Sequence, residues 1–377
     1  MSGARRNGRP ILLAAGGTGG HIFPAEALAV ALEARGEPVE LFTDERGERF
    51  RGRFPARAVH VVRSDTLRGR SPMSLARTAL RLAQGVLEAR RLLRRIRPRA
   101  VVGFGGYPTV PPVLAAAMAG VPTAIHEQNA VMGRANRLLG SRVRRIALGF
   151  AAARVDAKLA PKSEHVGNPV RPAVLAVAGE PYRTPGDGPV NLLVFGGSQG
   201  ARVMSEVVPD ALARLDPNLR ARLRVVQQAR AEDLDRVGAL YAEHGVRAEL
   251  APFFADLPER LAGAHLVVCR SGASTVAELA AVGRPAVLVP LPHALDQDQR
   301  ANAELLAKAG GAVLVAQESF TPAWLASELG ALVADPDRLA RMAAAARTIG
   351  TPDAAERLAD LVLALTAADQ TLKERFA

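Results

Sequence analysis

The sequence predicts an α/β protein made of two similar domains, each built around a parallel sheet, with a cleft between them. Apolar runs of strand length alternate with segments of helical periodicity, which is typical of βαβ units. Two units of strand, glycine turn and helix lie about half a chain apart, one starting at residue 11 and the other at residue 192. At 377 residues, 49% of them apolar, the chain is long enough for two domains with their own cores.

A glycine turn followed directly by a histidine stands near the N-terminus. The apolar run at 11–15 leads into the turn at 16–20, and His21 precedes a helix predicted over 22–35. Because backbone N–H groups at a helix start point at anions, the turn favours a phosphate-bearing ligand. The positive end of the helix also favours a neutral imidazole, which can act as a general base. The alternative is a tight strand–helix corner with a polar residue at the helix start.

Strand and helix patterns continue through the rest of the first half. Strands are predicted at 39–43, 58–62, 99–102 and 121–125. Ser71 as N-cap and Pro72 at the first helical position start a long helix, and a second helix is predicted at 110–119. The strand at 99–102 ends in another glycine turn, at 103–107.

The second half repeats the alternation after a break at 166–169. Strands are predicted at 191–195, 223–227, 248–251, 266–269, 286–290 and 312–315. Helices are predicted at 201–215, 231–244, 274–282 and 300–309, followed by a long helical stretch at 353–367. Each half therefore contains enough βαβ units for one parallel sheet.

The densest polar constellation of the second half is the segment 270–278. A strand ends at Cys269, and after a turn a helix begins with Ser274 and Thr275, which predicts a diphosphate site. Glu278, one turn further, can accept hydrogen bonds from a vicinal diol such as ribose. The alternative is that Ser274 is a plain N-cap and Glu278 complements the helix dipole. The glycine turn at 196–201 and the polar loop at 296–302 in the same domain count against that alternative.

Charge is concentrated in the first quarter of the chain. Residues 1–99 hold 20 arginines, no lysine and nine acidic residues, while the whole chain carries a net charge of +12. Such a surface can meet nucleic-acid phosphates, anionic lipid headgroups or an anionic substrate. An aromatic content of only 4% argues against a base-stacking surface for single strands.

Several function classes are disfavoured by what the sequence lacks. The single cysteine, Cys269, lies in an apolar strand and is interpreted as a structural thiol. No signal peptide and no spanning helix are predicted, which favours a cytosolic or peripheral protein. No Cys/His cluster has metal-ligand spacing and no acidic cluster suits Mg²⁺, so neither metal nor cofactor is predicted. The first glycine turn lacks the GxGxxG spacing of a nicotinamide site.

Six segments together closely resemble the MurG family of glycosyltransferases. They are GGTGGHIFPA (16–25), GFGGYPTVPP (103–112), HEQNAVMGRANR (126–137), VGNPVR (166–171), GGSQGA (196–201) and CRSGASTVAELAAVGRPAVLVP (269–290). The resemblance extends over residues 10 to 367. It implies a GT-B fold, in which two Rossmann-like domains face each other across a cleft. The implied domains are an acceptor- and membrane-facing domain at 1–166, a UDP-GlcNAc-binding domain at 167–350, and a C-terminal helix at 351–377 packing back toward the first domain.

The resemblance implies the activity of a hexosyltransferase in peptidoglycan synthesis. N-acetylglucosamine would pass with inversion from UDP-GlcNAc to the 4-hydroxyl of the muramyl sugar in undecaprenyl-diphospho-MurNAc-pentapeptide. The implied partners are these two substrates and an anionic membrane surface, with no nucleic acid. The implied location is peripheral, on the cytoplasmic face of the inner membrane.

Implied donor contacts can be assigned residue by residue. The uracil would contact Arg171 and the backbone at Phe254, and the ribose would contact Glu278. The diphosphate would contact Ser198, Ala273, Ser274 and Thr275. The N-acetylglucosamine would contact Gln299 and Asn129, and Thr18, Gly19 and Gly20 would also lie at the donor. Asp298 stands where the family usually has glutamine or histidine.

Acceptor contacts are implied in the same way. His21 would be the catalytic base, with Glu127 as an alternative or supporting acid. The acceptor diphosphate would meet Gly17, Gly105, Gly106 and Tyr107, and the membrane would meet Met73, Leu75 and Leu80. The long basic helix that carries these apolar residues fits a surface-lying helix, although part of its apolar stripe must pack into the core.

Three alternatives to this interpretation remain open. One is another GT-B glycosyltransferase with a diacylglycerol or small-molecule acceptor, and a second is a sugar-nucleotide epimerase. A nucleic-acid binder that uses the basic N-terminal face is the third, disfavoured because no reading motif is present.

Overall fold

The computed structural model describes residues 8–16, 19–47, 52–61, 72–197, 200–292 and 296–375, with side chains except at 72–79 and 370–375. The chain divides into two compact units. Unit 1 comprises Met1–Arg171 and Asp353–Ala377, and unit 2 comprises Pro172–Pro352. Each unit contains one parallel sheet, which confirms the predicted fold class.

Unit 1 contains a seven-stranded sheet in the order β3-β2-β1-β4-β5-β6-β7. Its strands are β1 (Ile11–Ala14), β2 (Val39–Thr43), β3 (Ala58–Val61), β4 (Ala100–Gly103), β5 (Thr123–Glu127), β6 (Arg145–Leu148) and β7 (Ser163–His165). All neighbouring strands run parallel. The strand order reverses between β1 and β4, and open α/β sheets bind ligands at such a point.

Helices cover both faces of this sheet. One layer consists of α1 (Gly19–Ala34) and α14 (Ala354–Arg375), and the other, the α2–α4 layer, consists of α2 (Pro72–Ile96), α3 (Val110–Met118) and α4 (Arg134–Gly140). Side chains alternate along β1, so that Ile11 and Leu13 face the first layer while Leu12 faces the second. Because both faces are covered, β1 is apolar throughout.

The last helix of the chain completes the core of unit 1. Leu358 and Val362 of α14 are fully buried in the same cluster as Leu28 and Leu32 of α1. At the surface, Arg35 forms ion pairs of 2.6 and 2.7 Å with Glu356 and Asp360. Exposed pairs of this kind contribute little, so apolar burial holds the helix in place.

Unit 2 contains a six-stranded parallel sheet in the order β10-β9-β8-β11-β12-β13. Its strands are β8 (Val190–Phe195), β9 (Leu223–Gln228), β10 (Arg247–Ala251), β11 (Leu266–Cys269), β12 (Ala286–Leu288) and β13 (Ala312–Leu314). Its helices are α5 (Pro172–Ala178), α6 (Arg202–Ala213), α7 (Pro217–Arg222), α8 (Leu234–Glu243), α9 (Leu257–Gly263), α10 (Ala273–Val282), α11 (Asp298–Lys308), α12 (Pro322–Ala334) and α13 (Pro336–Thr348). The strand order again reverses between two neighbours, β8 and β11.

Every predicted strand is present, with ends that differ by at most two residues from the prediction. The strand predicted at 121–125 lies at Thr123–Glu127, so His126 and Glu127 belong to β5 rather than to the following loop. Strands β6 and β7 were not predicted, because only three consecutive apolar residues follow Arg145 in β6 and β7 is polar throughout. Among the described residues, no helix is long and apolar enough to cross a membrane.

Candidate active site

In unit 1, the loops that follow β1 and β4 pack against each other at the carboxyl edge of the sheet. The backbone N–H of Phe104 donates to the carbonyl of Ala14 at 2.9 Å. A Cβ placed on Gly16 would lie 2.4 Å from Cγ of Pro108, so only glycine permits this approach. Gly17 and Thr18, which the resemblance assigns to the acceptor and the donor, lie outside the described residues.

His21 lies in the first turn of α1, against the second glycine turn. A Cβ on Gly106 would be 3.2 Å from Cδ2 and 3.3 Å from Nε2 of His21, and a Cβ on Gly105 would be 3.4 Å from its Cε1. Both glycines have positive φ angles, 83° and 74°, which other residues rarely adopt. The ring is therefore seated on backbone, and it is half-buried. Tyr107, also half-buried, follows this turn directly.

Glu127, at the end of β5, is 1% exposed and accepts four hydrogen bonds. The donors are the backbone N–H groups of Asn129 and Gly133, both at 2.9 Å, and the Nδ2 atoms of Asn136 at 2.8 Å and Asn129 at 3.3 Å. Burial raises the pKa of Glu127, and these four donors oppose the rise. The carboxylate therefore fixes the loop 128–133 and the start of α4, including the side chain of Asn129.

His126 links the same strand to the segment 166–168. Its Nε2 donates to the carbonyl of Gly167 at 2.9 Å, and its Nδ1 accepts from Nε2 of Gln128 at 3.1 Å. Asn168 then donates from Nδ2 to the carbonyl of Gln128 at 2.8 Å. Burial lowers the pKa of His126 to about 4, so the imidazole is neutral at pH 7.

Arg171 is the last residue of the first segment of unit 1. Its guanidinium carbon lies 4.8 Å from the ring centroid of Phe23, a cation–π contact with α1. Burial raises the pKa of Glu26, and the positive charge of Arg171 opposes part of that rise. The contact with uracil that the resemblance implies for Arg171 stays a prediction.

In unit 2, a glycine turn follows β8 as predicted. Gly197 and Gly200 have φ angles of 85° and 67°, and a Cβ on Gly196 would lie 2.2 Å from the backbone nitrogen of Ala201. The N–H of Gly196 donates to Oε1 of Gln228 at 3.1 Å. Ser198, the predicted diphosphate contact in this turn, lies outside the described residues.

The N-terminus of α10 follows β11, the neighbour of β8. Its N-cap is Gly272, which provides no side-chain cap. The alternative that Ser274 is a plain N-cap is therefore wrong. The Oγ of Ser274 is buried and makes no hydrogen bond with any described residue, while Thr275 is half-buried. Glu278, one turn along, is 7% exposed.

The start of α11 is fastened to the turn after β11. The Oγ of Ser271 donates to the carbonyl of Gln299 at 2.8 Å, and Nδ2 of Asn302 donates to the carbonyl of Ser271 at 3.2 Å. The Oε1 of Gln299 accepts from the N–H of Leu291 at 3.1 Å, so its amide side chain lies against the loop after β12. Asp298 accepts the N–H of Gln299 at 2.9 Å, as an acidic residue in a first helical turn commonly does.

Phe254 lies in the loop after β10. It is 7% exposed, and the guanidinium of Arg260 lies 4.4 Å from its ring centroid. Arg260 in turn pairs with Glu249 at 2.7 Å and Asp256 at 2.9 Å, which fixes this loop. In the part of the chain that is described, no group of three or more His, Cys, Asp or Glu could hold a metal ion.

Comparison with known proteins decides the family. The glycosyltransferase family 28 N-terminal domain matches residues 11–148, and the C-terminal domain of the same family matches residues 191–358. A protein of Nitrobacter hamburgensis is 58% identical over 361 residues, covering 95% of this chain and 98% of its own length. It is named UDP-N-acetylglucosamine–N-acetylmuramyl-(pentapeptide) pyrophosphoryl-undecaprenol N-acetylglucosamine transferase. This chain belongs to the MurG family. It is therefore a glycosyltransferase.

Other relatives agree with membership in the MurG family. A protein of Rhodopseudomonas palustris with the same name is 59% identical, covering 94% of this chain and 95% of its own length. The crystal structure of MurG from Acinetobacter baumannii matches with a TM-score of 0.76 and 30% identity, over 94% of this chain and 99% of that chain. The GT-B fold predicted for the MurG family is confirmed.

An epimerase shares the fold but not the sequence. UDP-GlcNAc 2-epimerase from Neisseria meningitidis matches with a TM-score of 0.66 but is 13% identical, over 93% of this chain and 99% of that chain. At that identity the likeness shows the fold alone. The relatives with high sequence identity are named as N-acetylglucosamine transferases of the MurG family. The epimerase alternative is therefore supported by the fold alone.

Sequence reasoning missed several residues that shape the site. Asn136 donates to the carboxylate of Glu127, and Arg270 donates to the carbonyls of Val289 and Pro290, both at 3.0 Å. Asn136 belongs to the segment HEQNAVMGRANR (126–137), which resembles the MurG family, so the motif could have indicated that this residue is important. Arg270 begins the segment predicted to bind a diphosphate, so its residue was noted but its role was not. Its side chain instead binds the backbone of the loop after β12.

We expect the free energy of unfolding of unit 1 to fall with acid because of His126. In the fold its pKa is about 4, below the ordinary value of 6.5. Between these values the unfolded chain binds a proton that the folded chain does not, so stability falls as the pH is lowered from 6.5 to 4, by about 3 kcal/mol in total. His126→Gln keeps a donor for the carbonyl of Gly167 and removes the titration. Hydrogen exchange of the β4 and β5 amides, corrected for intrinsic rates, measures this at pH 7 and pH 4.5.

The comparison between wild type and His126→Gln isolates this group from Glu127 and the other carboxyls. Between pH 7 and pH 4.5, the β4 and β5 amides of the variant should lose clearly less protection from hydrogen exchange than those of the wild type. An equal acid-induced loss in both proteins would contradict the assignment.

Proposed function

We propose that this enzyme transfers N-acetylglucosamine from UDP-GlcNAc to the 4-hydroxyl of the muramyl sugar in undecaprenyl-diphospho-MurNAc-pentapeptide. The product is the β-1,4-linked disaccharide lipid precursor of peptidoglycan. The observation that carries this proposal is the relative named for this transfer, which is 58% identical over 95% of the chain. The polar groups at the carboxyl edge of each sheet, taken separately, support it.

The donor is proposed to bind unit 2. The backbone N–H groups at the start of α10 suit a diphosphate, and Ser274 offers a buried hydroxyl without a partner among the described residues. Glu278 is proposed to accept hydrogen bonds from the ribose, and Gln299 from the N-acetylglucosamine hydroxyls. The backbone at Phe254 is proposed to contact the uracil, within a loop that Arg260 holds in shape.

The acceptor is proposed to bind the two glycine turns of unit 1. Gly105 and Gly106 present backbone beside His21, at positions where a Cβ would lie 3.2 to 3.4 Å from the imidazole ring. Glycine turns of this kind offer N–H groups to a diphosphate. His21, seated on the turn, is then next to the bound acceptor and can take the proton from its 4-hydroxyl.

The proposed step is a single displacement at the anomeric carbon. The acceptor oxygen forms a bond to C1 on the face opposite the UDP, and its proton passes to the imidazole of His21. The bond between C1 and the diphosphate oxygen breaks, and its electron pair leaves with UDP. Positive helix ends stabilise the charge that develops on the leaving group.

Glu127 is proposed to position this site rather than to transfer a proton. Its two oxygens already accept four hydrogen bonds, and its side chain is almost fully buried. A proton-transfer group must come within hydrogen-bonding reach of the reacting hydroxyl. Asn129, which Glu127 orients, is the neighbour proposed to reach the donor sugar.

The activity itself is tested by the dependence of UDP release on the acceptor. We expect UDP release from UDP-GlcNAc only when polyprenyl-diphospho-MurNAc-pentapeptide is added. Diacylglycerol, a free muramyl peptide and no acceptor serve as matched controls. Release with diacylglycerol alone would favour a different lipid acceptor, and loss of UDP-GlcNAc to its 2-epimer without acceptor would indicate an epimerase.

The role of His21 is tested by its pH profile. We expect His21→Ala to lower kcat by about 10²- to 10⁴-fold, because general base catalysis contributes this much. The acidic limb of the kcat/KM profile should disappear in this variant. Glu127→Gln disturbs the loop and should raise KM, yet it should keep the acidic limb. Near-full turnover in His21→Ala, or loss of the limb in Glu127→Gln, would reverse the two roles.

A peripheral membrane location is proposed from the outer surface of the α2–α4 layer. Among the large apolar side chains that are exposed in the described residues, four lie on this layer: Leu80, Leu87, Met118 and Leu138. Exposed arginines accompany them, among them Arg90 and Arg94 on α2 and Arg142 just after α4. Such a mixture suits anionic headgroups and the acyl boundary. The side chains of Met73 and Leu75, predicted for the same surface, lie outside the description.

We expect the double variant Leu80→Glu/Leu87→Glu to bind anionic vesicles about 10-fold more weakly than wild type. The reason is that the free energy gained by moving each leucine side chain from water into the membrane interface is lost. The vesicles contain phosphatidylglycerol and phosphatidylcholine, and binding is measured by cosedimentation. The control is Val30→Glu, which alters an exposed valine of α1 on the opposite layer. An equal loss in the control, or unchanged binding in the double variant, would contradict the proposed surface.

A further inference from the structure

The donor contacts proposed so far include no cationic side chain beside the diphosphate of the departing UDP. Negative charge develops on the diphosphate as its bond to C1 breaks, and a cation beside it lowers the barrier. The donor contacts proposed on unit 2 supply hydroxyls, backbone N–H groups and amides. An arginine is well suited to this task because its planar group can bind phosphate oxygens in pairs.

Three arginines that stand near the motifs are engaged elsewhere. Arg270, which follows β11, donates to the carbonyls of Val289 and Pro290 and to Oε1 of Gln317 at 2.6 Å. Arg284 is 1% exposed and precedes β12, at the amino edge of the sheet, where it donates to backbone carbonyls such as Ala262 at 2.9 Å. Arg171 belongs to unit 1, where it contacts Phe23.

Arg230 lies against the glycine turn that follows β8. A Cβ on Gly200 would be 3.1 Å from Cγ and 3.7 Å from Nε of Arg230, so the arginine stem crosses directly over this glycine. The Nε atom is buried and makes no hydrogen bond with any described residue. Within the described part of the chain the guanidinium has one ion pair, with Glu232 at 3.9 Å, and that side chain is 70% exposed. The head group thus retains donors for a ligand.

Strand order puts Arg230 between two of the proposed donor contacts. It follows β9, which lies between β10 and β8 in the sheet. The loop after β10 contains Phe254, proposed for the uracil, and β8 is followed by the glycine turn. Gln228, two residues before Arg230, joins these loops: its Oε1 accepts from Gly196 at 3.1 Å, and its Nε2 donates to the carbonyl of Pro252 at 3.1 Å.

We propose that Arg230 is the cationic contact of the donor diphosphate. This assignment rests on the proposed function, since it names one further residue of the same nucleotide site. The guanidinium contacts the phosphate oxygens in the ground state and more strongly as the leaving group gains charge. Glycine suits position 200 because its φ angle is 67° and because a Cβ there would press on the stem of Arg230.

The test compares ligands that differ only in phosphate. UDP and uridine are titrated calorimetrically into wild type, Arg230→Gln and Arg230→Lys. We expect Arg230→Gln to bind UDP about 10-fold more weakly, while uridine affinity stays within about 2-fold, because only the charge-assisted contact is lost. Arg230→Lys should recover part of the UDP affinity. The matched control is Arg224→Gln, an exposed arginine at the opposite end of β9.

Turnover gives a second readout at saturating UDP-GlcNAc. Arg230→Gln should lower kcat about 10-fold or more, since the contact strengthens in the transition state. Unchanged UDP affinity, or an equal loss of UDP and uridine in both Arg230 variants, would overturn the assignment. Absence of transfer in the wild type would overturn the proposed function instead, and the comparison of UDP with uridine would still decide on Arg230.

Discussion

A buried carboxylate organises the part of unit 1 that is proposed to bind the acceptor. Glu127 accepts hydrogen bonds from two backbone N–H groups and two asparagine side chains, all within the segment 128–136, which includes the first turn of α4. Leaving a buried charge without such donors would cost several kcal/mol. The loop therefore has little freedom to move away from β5, and the orientation of Asn129 follows from that.

Both units use the same physical device at their carboxyl edges. In each, the strand order reverses beside the first strand of the sheet, β1 or β8, and a glycine turn there brings backbone close to backbone. In unit 1 the turns bring His21 onto Gly105 and Gly106, whereas in unit 2 the turn brings Arg230 onto Gly200. The shared architecture thus places an imidazole beside a glycine turn in one unit and a guanidinium beside a glycine turn in the other.

The sequence predicted the features that depend on local pattern and left out those that depend on distant partners. Apolar runs located the central strands, and glycine turns located both carboxyl edges. By contrast, β6 begins with an arginine and β7 is polar throughout, so neither forms an apolar run that would mark it as a strand. The contact between Gln128 and Asn168 spans 40 residues. Arg230 was missed for the same reason, because its relation to Gly200 exists only when β8 and β9 lie side by side.

The placement of α14 has a consequence for biosynthesis. One face of the first sheet is left without part of its cover until α14 has left the ribosome, although the strands of that sheet are made before residue 172. At typical elongation rates, the intervening 172–352 segment takes about 10 to 40 s to synthesise. During that interval the apolar groove that receives Leu358 and Val362 is open to solvent and to chaperones. Nascent chains that stop short of residue 354 are accordingly the ones most exposed to aggregation, even though every motif of the site is already complete.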